Sequence, residues 1–260
     1  IREKEDLLLY VALTAATGLL GNVSMWGYLK GQVEKPVLKE LRPLRHLKET
    51  LVYFIPTIAT SVYTILDKTM LGWFSGENKS QNGYYEYATG FVNMAKILIM
   101  SFNAVMSARM SYLFGTGRME EIHKRFQDSL DFVLLMAMPI MLGLAGIAAQ
   151  FIPWFLGNGY LPVTFLMYVC SPLVLVVGLS DCIGSQILTP GGKRAQSGKV
   201  IVAGAMVNAC LNFLLIPHFA ALGAAAASVA AECFITSLYL WLGRDFIKLK
   251  MLVRYGWRRL

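Results

Sequence analysis

Five ionisable residues, Asp67, Lys68, Lys96, Asp181 and Glu232, interrupt long apolar runs, where a charge is expensive. On insertion scales a charge at the bilayer centre costs about 2.5 to 3.5 kcal/mol, so each one signals an aqueous cavity or a paired partner. Other polar residues join them at helical spacing. Thr57, Thr60, Ser61, Thr64, Asp67 and Lys68 share one broad face, given about 100° of rotation per residue. Thr89, Asn93, Lys96, Asn103 and Ser107 make a second stripe, and Ser171, Gly178, Asp181, Ser185 and Thr189 a third. Asn208 with Asn212, and Ser228 with Glu232, mark two more segments. Four or five helices that each offer a polar face imply a central cavity open to water or a polar solute. Part of this polarity has a plainer use, because Ser, Thr and Asn bond across membrane helices for about 0.6 to 2 kcal/mol each. Lys96, Asp181 and Glu232 stand out for a cavity or ion-coupling role, while Asp67 and Lys68 lie toward the outer end of their segment and can also be read as reaching the interface.

Covalent and metal chemistry find less support. His46, His123 and His218 lie in separate membrane-edge segments, and no acidic pair marks an outer loop, so a membrane glycosyltransferase or acyltransferase is disfavoured. Cys170, Cys182, Cys210 and Cys233 fall in apolar stretches without a CxxC pair and read as small packing residues, so no cofactor, zinc site or disulfide framework is expected.

The elements that position these residues are transmembrane helices. The chain of 260 residues is 56% hydrophobic and 15% charged, against about 25% charged in soluble domains. Its mean hydropathy is +0.52. Spanning about 30 Å of hydrocarbon takes roughly 20 helical residues. Seven stretches qualify, at about 7 to 28, 50 to 74, 87 to 113, 130 to 151, 163 to 188, 199 to 217 and 221 to 242. A barrel would instead show alternating segments near ten residues. Pro56, Pro139 and Pro172 lie inside these spans and remove backbone hydrogen bonds, creating kinks or pivots. The small-residue run from Ala220 to Ala231 gives the seventh span a face for close packing.

The net charge of +8 resides in the connections, not on one amphipathic domain, so no nucleic-acid partner is expected. Lys30, Lys35, Lys39, Arg42, Arg45 and Lys48 follow the first span, whereas the next loop holds only Lys79. Arg118, Lys124 and Arg125 then join Arg109, residues 153–162 carry no base, and Lys193, Arg194 and Lys199 follow. The turn near His218 has none, and the tail carries six. By the positive-inside rule the N-terminus lies outside and the C-terminus in the cytoplasm. A seven-span receptor or retinal protein is disfavoured, since the last span lacks a Schiff-base Lys. The linker 30–49 and tail 244–260 alternate apolar and basic residues and read as helices lying on the inner membrane surface. Ile1 opens the chain without a signal peptide, which suggests a piece of a longer polypeptide.

Leu47-Lys48-Glu49-Thr50-Leu51, through Phe54-Ile55-Pro56 to Leu66-Asp67-Lys68-Thr69-Met70-Leu71-Gly72, resembles the helix that opens the second lobe of bacterial polysaccharide flippases. These are the lipid-linked oligosaccharide exporters of the multidrug/oligosaccharidyl-lipid/polysaccharide superfamily. Met106-Ser107-Ala108-Arg109-Met110-Ser111 with Gly117 and Glu120 resembles their next helix end, and Ile216-Pro217-His218-Phe219-Ala220-Ala221-Leu222-Gly223-Ala224-Ala225 with Glu232 their late helix pair. The resemblance implies an all-α, two-lobe, alternating-access transporter. Residues 1–29 would be the last helix of the first lobe, 30–49 a basic cytoplasmic linker, 50–243 the six-helix second lobe, and 244–260 a basic interfacial tail. An undecaprenyl-pyrophosphate oligosaccharide would be the substrate, with its isoprenoid tail among membrane lipids. Lys96, with Lys68 and Arg109, would offset phosphate charge, and Asn93, Asn103 and Thr64 would line the cavity. Asp67, Asp181 and Glu232 would take a coupling proton or sodium ion. A drug/cation antiporter or a peptidoglycan-precursor flippase of the same superfamily is the alternative.

Overall fold

The computed structural model describes residues 4–29, 47–74 and 80–246, so the proposed linker helix, apart from its last residues, and the tail beyond Phe246 lie outside the described residues. All described elements are helical. The chain divides into two units at Lys48 and Glu49. In the first, α1 (Lys4–Leu29) presents Leu8, Leu9, Leu19, Leu20 and Trp26 outward around its circumference. Thr14, Thr17 and Ser24 donate their hydroxyls to carbonyls three or four residues back, which hides those groups in the helix itself. A helix apolar all round suits hydrocarbon as its solvent.

The second unit holds α2 (Leu47–Phe74, which starts in the first), α3 (Ser80–Gly115), α4 (Met119–Leu156), α5 (Leu161–Cys170), α6 (Leu173–Ile183) and α7 (Arg194–Leu242). Its core runs along α3, α4, α5 and α6, where Ile99, Phe126, Leu130, Val133, Leu166 and Val174 are buried. Helices are close enough there that a Cβ on Gly178 would come within 3.1 Å of Ile99. α3 and α4 extend past the predicted spans, and α4 starts at Met119 instead of 130, because the helices continue beyond the apolar stretch into the polar edge.

Among the described residues four helices are long and apolar enough to cross a membrane, and the bent pair 158–170 and 173–188 makes a fifth. That bend of 41° falls at Pro172. Proline has no N–H to give the carbonyl four residues back, Tyr168, and the Ser171 hydroxyl donates to it at 3.2 Å. α6 then runs into a π-helical turn, Gly184–Leu188. π-turns concentrate at functional sites, and here the turn carries polar side chains into the core.

α7 is two antiparallel limbs, 194–219 and 221–242. Its 49 residues would measure about 74 Å if straight, more than twice the hydrocarbon thickness. Instead Ala220 leaves the helical region at φ 48°, ψ −127°. Beyond it a Cβ on Gly223 would stand 2.5 Å from the Leu215 carbonyl oxygen, eight residues back, which only a reversal permits. Ser197 and Tyr239 hydrogen-bond across the limbs. These limbs coincide with the sixth and seventh predicted spans, so each of the seven has a helical counterpart. Ala220 is the lone non-glycine residue with positive φ among those described. Such strain costs about 1 to 3 kcal/mol. Ala220→Gly is therefore expected to raise stability by about 1 kcal/mol after the extra chain entropy of glycine, read as a higher unfolding temperature in detergent.

Candidate functional site

Two polar nodes lie inside the second unit, with a cavity beside one of them. The first node centres on Asp67, which is 2% exposed although Lys68 and Thr64, its helical neighbours, are exposed. The turn of α2 that buries Met70 and Leu71 also directs Asp67 inward. Tyr85 of α3 donates to Asp67 Oδ2 at 2.9 Å, and Ser228 of the second limb donates to the same oxygen at 2.8 Å. Asn212 of the first limb donates to Oδ1 and to Asn208 Oδ1, one helical turn away. Thus α2, α3 and both limbs of α7 converge on one carboxylate, whose partners among the described residues are all neutral. Donors lower the cost of the charge without cancelling it, whereas a proton or small cation would cancel it.

The second node joins α3 to the π-turn. Asn103 is fully buried and donates to Asp181 Oδ2 at 3.0 Å and to the Gly178 carbonyl at 3.2 Å. It accepts from Gln186, also fully buried, at 3.1 Å, while Ser107 donates to the Ser185 carbonyl at 2.9 Å. The π-turn sets Gln186 opposite Asn103, and the hydrogen bond between their side-chain amides ties the turn to α3.

Beside this node lies a cavity of about 360 Å³, walled by α2, α3, α6, the π-turn and both limbs of α7. Asp181, Arg194 and Glu232 line it, together with Thr60, Ser180 and Ser185. Tyr239 is another wall residue, and its hydroxyl pairs with that of Ser197. Lys96 is half-buried and within Coulomb range of Glu232.

The sequence-derived candidates therefore separate. Asp181 and Glu232 share the cavity, Lys96 acts on Glu232, Asn103 holds Asp181, and Asp67 occupies its own node. The others are not brought into these sites. Lys68 pairs with Glu86 and both are exposed, Arg109 approaches Glu121 at 3.7 Å on an exposed edge, and Asn93 is exposed. Thr64 gives its hydroxyl to the Thr60 carbonyl at 2.7 Å. Of the cysteines, Cys170 and Cys182 are buried and Cys210 and Cys233 are exposed on outward faces, all with free thiols. Two residues of the nodes escaped the sequence reading. Tyr85 sits in a Tyr-Tyr-Glu-Tyr run before the predicted span and reads there as an interfacial aromatic. Gln186 carried a usable signal, an amide inside an apolar run beside Ser185.

Comparison with known proteins gives this architecture a family. Over 247 residues the chain is 24% identical to an Escherichia coli (strain K12) protein described as "Putative O-antigen transporter", a match covering 94% of the chain and 59% of that relative. The chain thus spans about three fifths of the curated relative's length. Its fold matches a solved structure, "Lipid II flippase MurJ, inward closed conformation", with a TM-score of 0.64 and 17% identity over 83% of this chain and 49% of that one. Residues 19–165, more than half of the chain, match the family described as Polysaccharide biosynthesis protein. This multi-pass membrane protein belongs to the polysaccharide biosynthesis protein family.

Proposed function

We propose that the protein moves a lipid-linked oligosaccharide across the membrane by alternating access, with residues 50–243 as one lobe and α1 as the last helix of the other. Asp67 carries this reading. One buried carboxylate, with neutral partners from α2, α3 and both limbs of α7, makes the packing of three helices depend on its charge. A proton or sodium ion at Asp67 thereby biases how these helices sit, which is what coupling a gradient to a conformational change requires. The family membership, the relative's O-antigen name and the neighbour's lipid II name favour a lipid-linked glycan as cargo over a drug cation.

Basic connections place the C-terminus in the cytoplasm on this reading, and the substrate travels from the inner to the outer leaflet. Lys96 contacts the pyrophosphate when it enters, exchanging part of its attraction to Glu232 for the phosphate charge. Arg109 and Lys68, each beside a glutamate at an exposed edge, contribute less. In the full-length protein Lys96→Gln is expected to cut export of surface polysaccharide at least about tenfold, the cost of one charge-assisted contact. Normal export by that variant would remove Lys96 from the mechanism. Translocation itself is tested with reconstituted full-length protein, which should move a labelled lipid-linked glycan without altering its covalent structure. Recovery of a modified glycan would point to an enzyme.

A further inference from the structure

We infer that the cavity between α2, α3, α6 and the limbs of α7 is a subsite for the sugar hydroxyls of the cargo, with Asp181 and Glu232 as acceptors; this deepens the lipid-linked glycan reading and rests on it. Hydrogen-bond direction carries the inference. Thr60 spends its hydroxyl proton on the Pro56 carbonyl at 3.0 Å and Ser180 on the Val177 carbonyl at 3.1 Å, so both turn lone pairs to the cavity. The two carboxylates add acceptors only. The buried Ser185 hydroxyl has no hydrogen-bond partner within the protein and is able both to donate and to accept. A wall rich in acceptors calls for a ligand rich in donors. Sugars present O–H groups at nearly every ring carbon, which donate to these oxygens and accept from Arg194, whereas a pyrophosphate presents acceptors alone and would meet two carboxylates beside a single guanidinium on the wall.

Charge decides against the opposite case. Asp181 and Glu232 are balanced by Arg194 on the wall and by Lys96, within Coulomb range of Glu232. The net field suits a neutral polyol better than an organic cation. The volume of about 360 Å³ accommodates one or two sugar rings and falls within the range of small-ligand pockets. Asp181 is also pre-oriented, because Asn103 donates to its Oδ2 and leaves Oδ1 available.

The test uses full-length protein in lipid nanodiscs and two probes: undecaprenyl pyrophosphate carrying an N-acetylhexosamine disaccharide, and the same lipid without sugar. The readout is the ratio of the two affinities. Glu232→Gln is expected to weaken the sugar-bearing lipid about tenfold relative to the bare lipid, as loss of a charged acceptor requires, while the bare lipid is not weakened, because Lys96 loses a competitor for the pyrophosphate. Thr60→Val, on the α2 wall away from the acidic side chains, should lower the ratio about threefold, and it decides the matter if Glu232→Gln loses both lipids. An unchanged ratio in Thr60→Val and Glu232→Gln would overturn the subsite, as would displacement of the sugar-bearing lipid by tetraphenylphosphonium. Sugar-selective binding by a protein that moves neither lipid would overturn translocation and keep the subsite. Transport of both lipids at equal rates by wild type and variants would do the reverse.

Discussion

Asp67→Asn is expected to leave the protein folded while slowing gradient-driven transport about a hundredfold. Asn has the same shape as Asp, and its amide keeps the node intact. Its carbonyl oxygen accepts from Asn212, and its NH2 faces Tyr85 and Ser228, whose hydroxyls rotate to accept. The negative charge is what disappears. A coupling ion at a hundred times its dissociation constant contributes about 2.7 kcal/mol, and its loss costs the coupled step about a hundredfold. Transport should also stop responding to the proton or sodium gradient. Asp67→Ala is expected to behave differently, because it leaves an Asn212 N–H and one hydroxyl of the Tyr85–Ser228 pair buried without an acceptor and destabilises the protein by about 3 kcal/mol. Gradient dependence and thermal unfolding of the two variants, measured side by side, separate charge from packing. A fully gradient-responsive Asp67→Asn protein would remove the residue from coupling.

Gly223→Ala is expected to be the most destabilising single methyl addition in α7. The added Cβ would stand 2.5 Å from the Leu215 carbonyl oxygen and 2.6 Å from its carbon, backbone atoms that cannot rotate away. Relief requires the limbs to separate just below the Ala220 turn, at a cost of about 3 kcal/mol. Separation would also draw Asn212 from Ser228 and loosen the Asp67 node. Gly143→Ala in α4 is the control. Gly143 is exposed with no atom within 4 Å of an added Cβ, so alanine there should gain up to about 1 kcal/mol in helix preference. Unfolding temperatures that fall for Gly223→Ala and hold or rise for Gly143→Ala fit the hairpin. Equal behaviour would mean that residues 194–242 do not reverse so tightly.

The helices were legible because lipid removes alternatives. Apolar length and alternating basic loops placed seven spans, and each has a helix, since unpaired backbone is intolerable in hydrocarbon. The reversal at Ala220 shows in the sequence as the gap between two apolar runs near Pro217 and His218. Its left-handed residue does not, because alanine carries no signal for positive φ. Polar residues inside spans were equally visible, and Asp67, Asn103, Asp181, Asn208, Asn212, Ser228 and Glu232 all come from the stripes. Their partition into two nodes was not. Period alone groups Asp67 with Thr64 and Lys68, yet the rotation of α2 buries the first and exposes the others. Long-range partners such as Asp67 and Ser228, 161 residues apart, depend on how helices cross. Lys68 and Arg109 looked like phosphate ligands by type, and each stands beside a glutamate supplied by a neighbouring element.

The most direct test is transbilayer movement itself. Full-length protein is reconstituted in proteoliposomes with fluorescent undecaprenyl-pyrophosphate oligosaccharide, and outer-leaflet label is followed by quenching under an imposed proton or sodium gradient. A lipid-linked glycan flippase coupled through Asp67 gives accumulation in one leaflet that collapses in Asp67→Asn and leaves the glycan chemically intact. Gradient-independent scrambling at equal rates in wild type and variant, or no movement beyond protein-free vesicles, would contradict it.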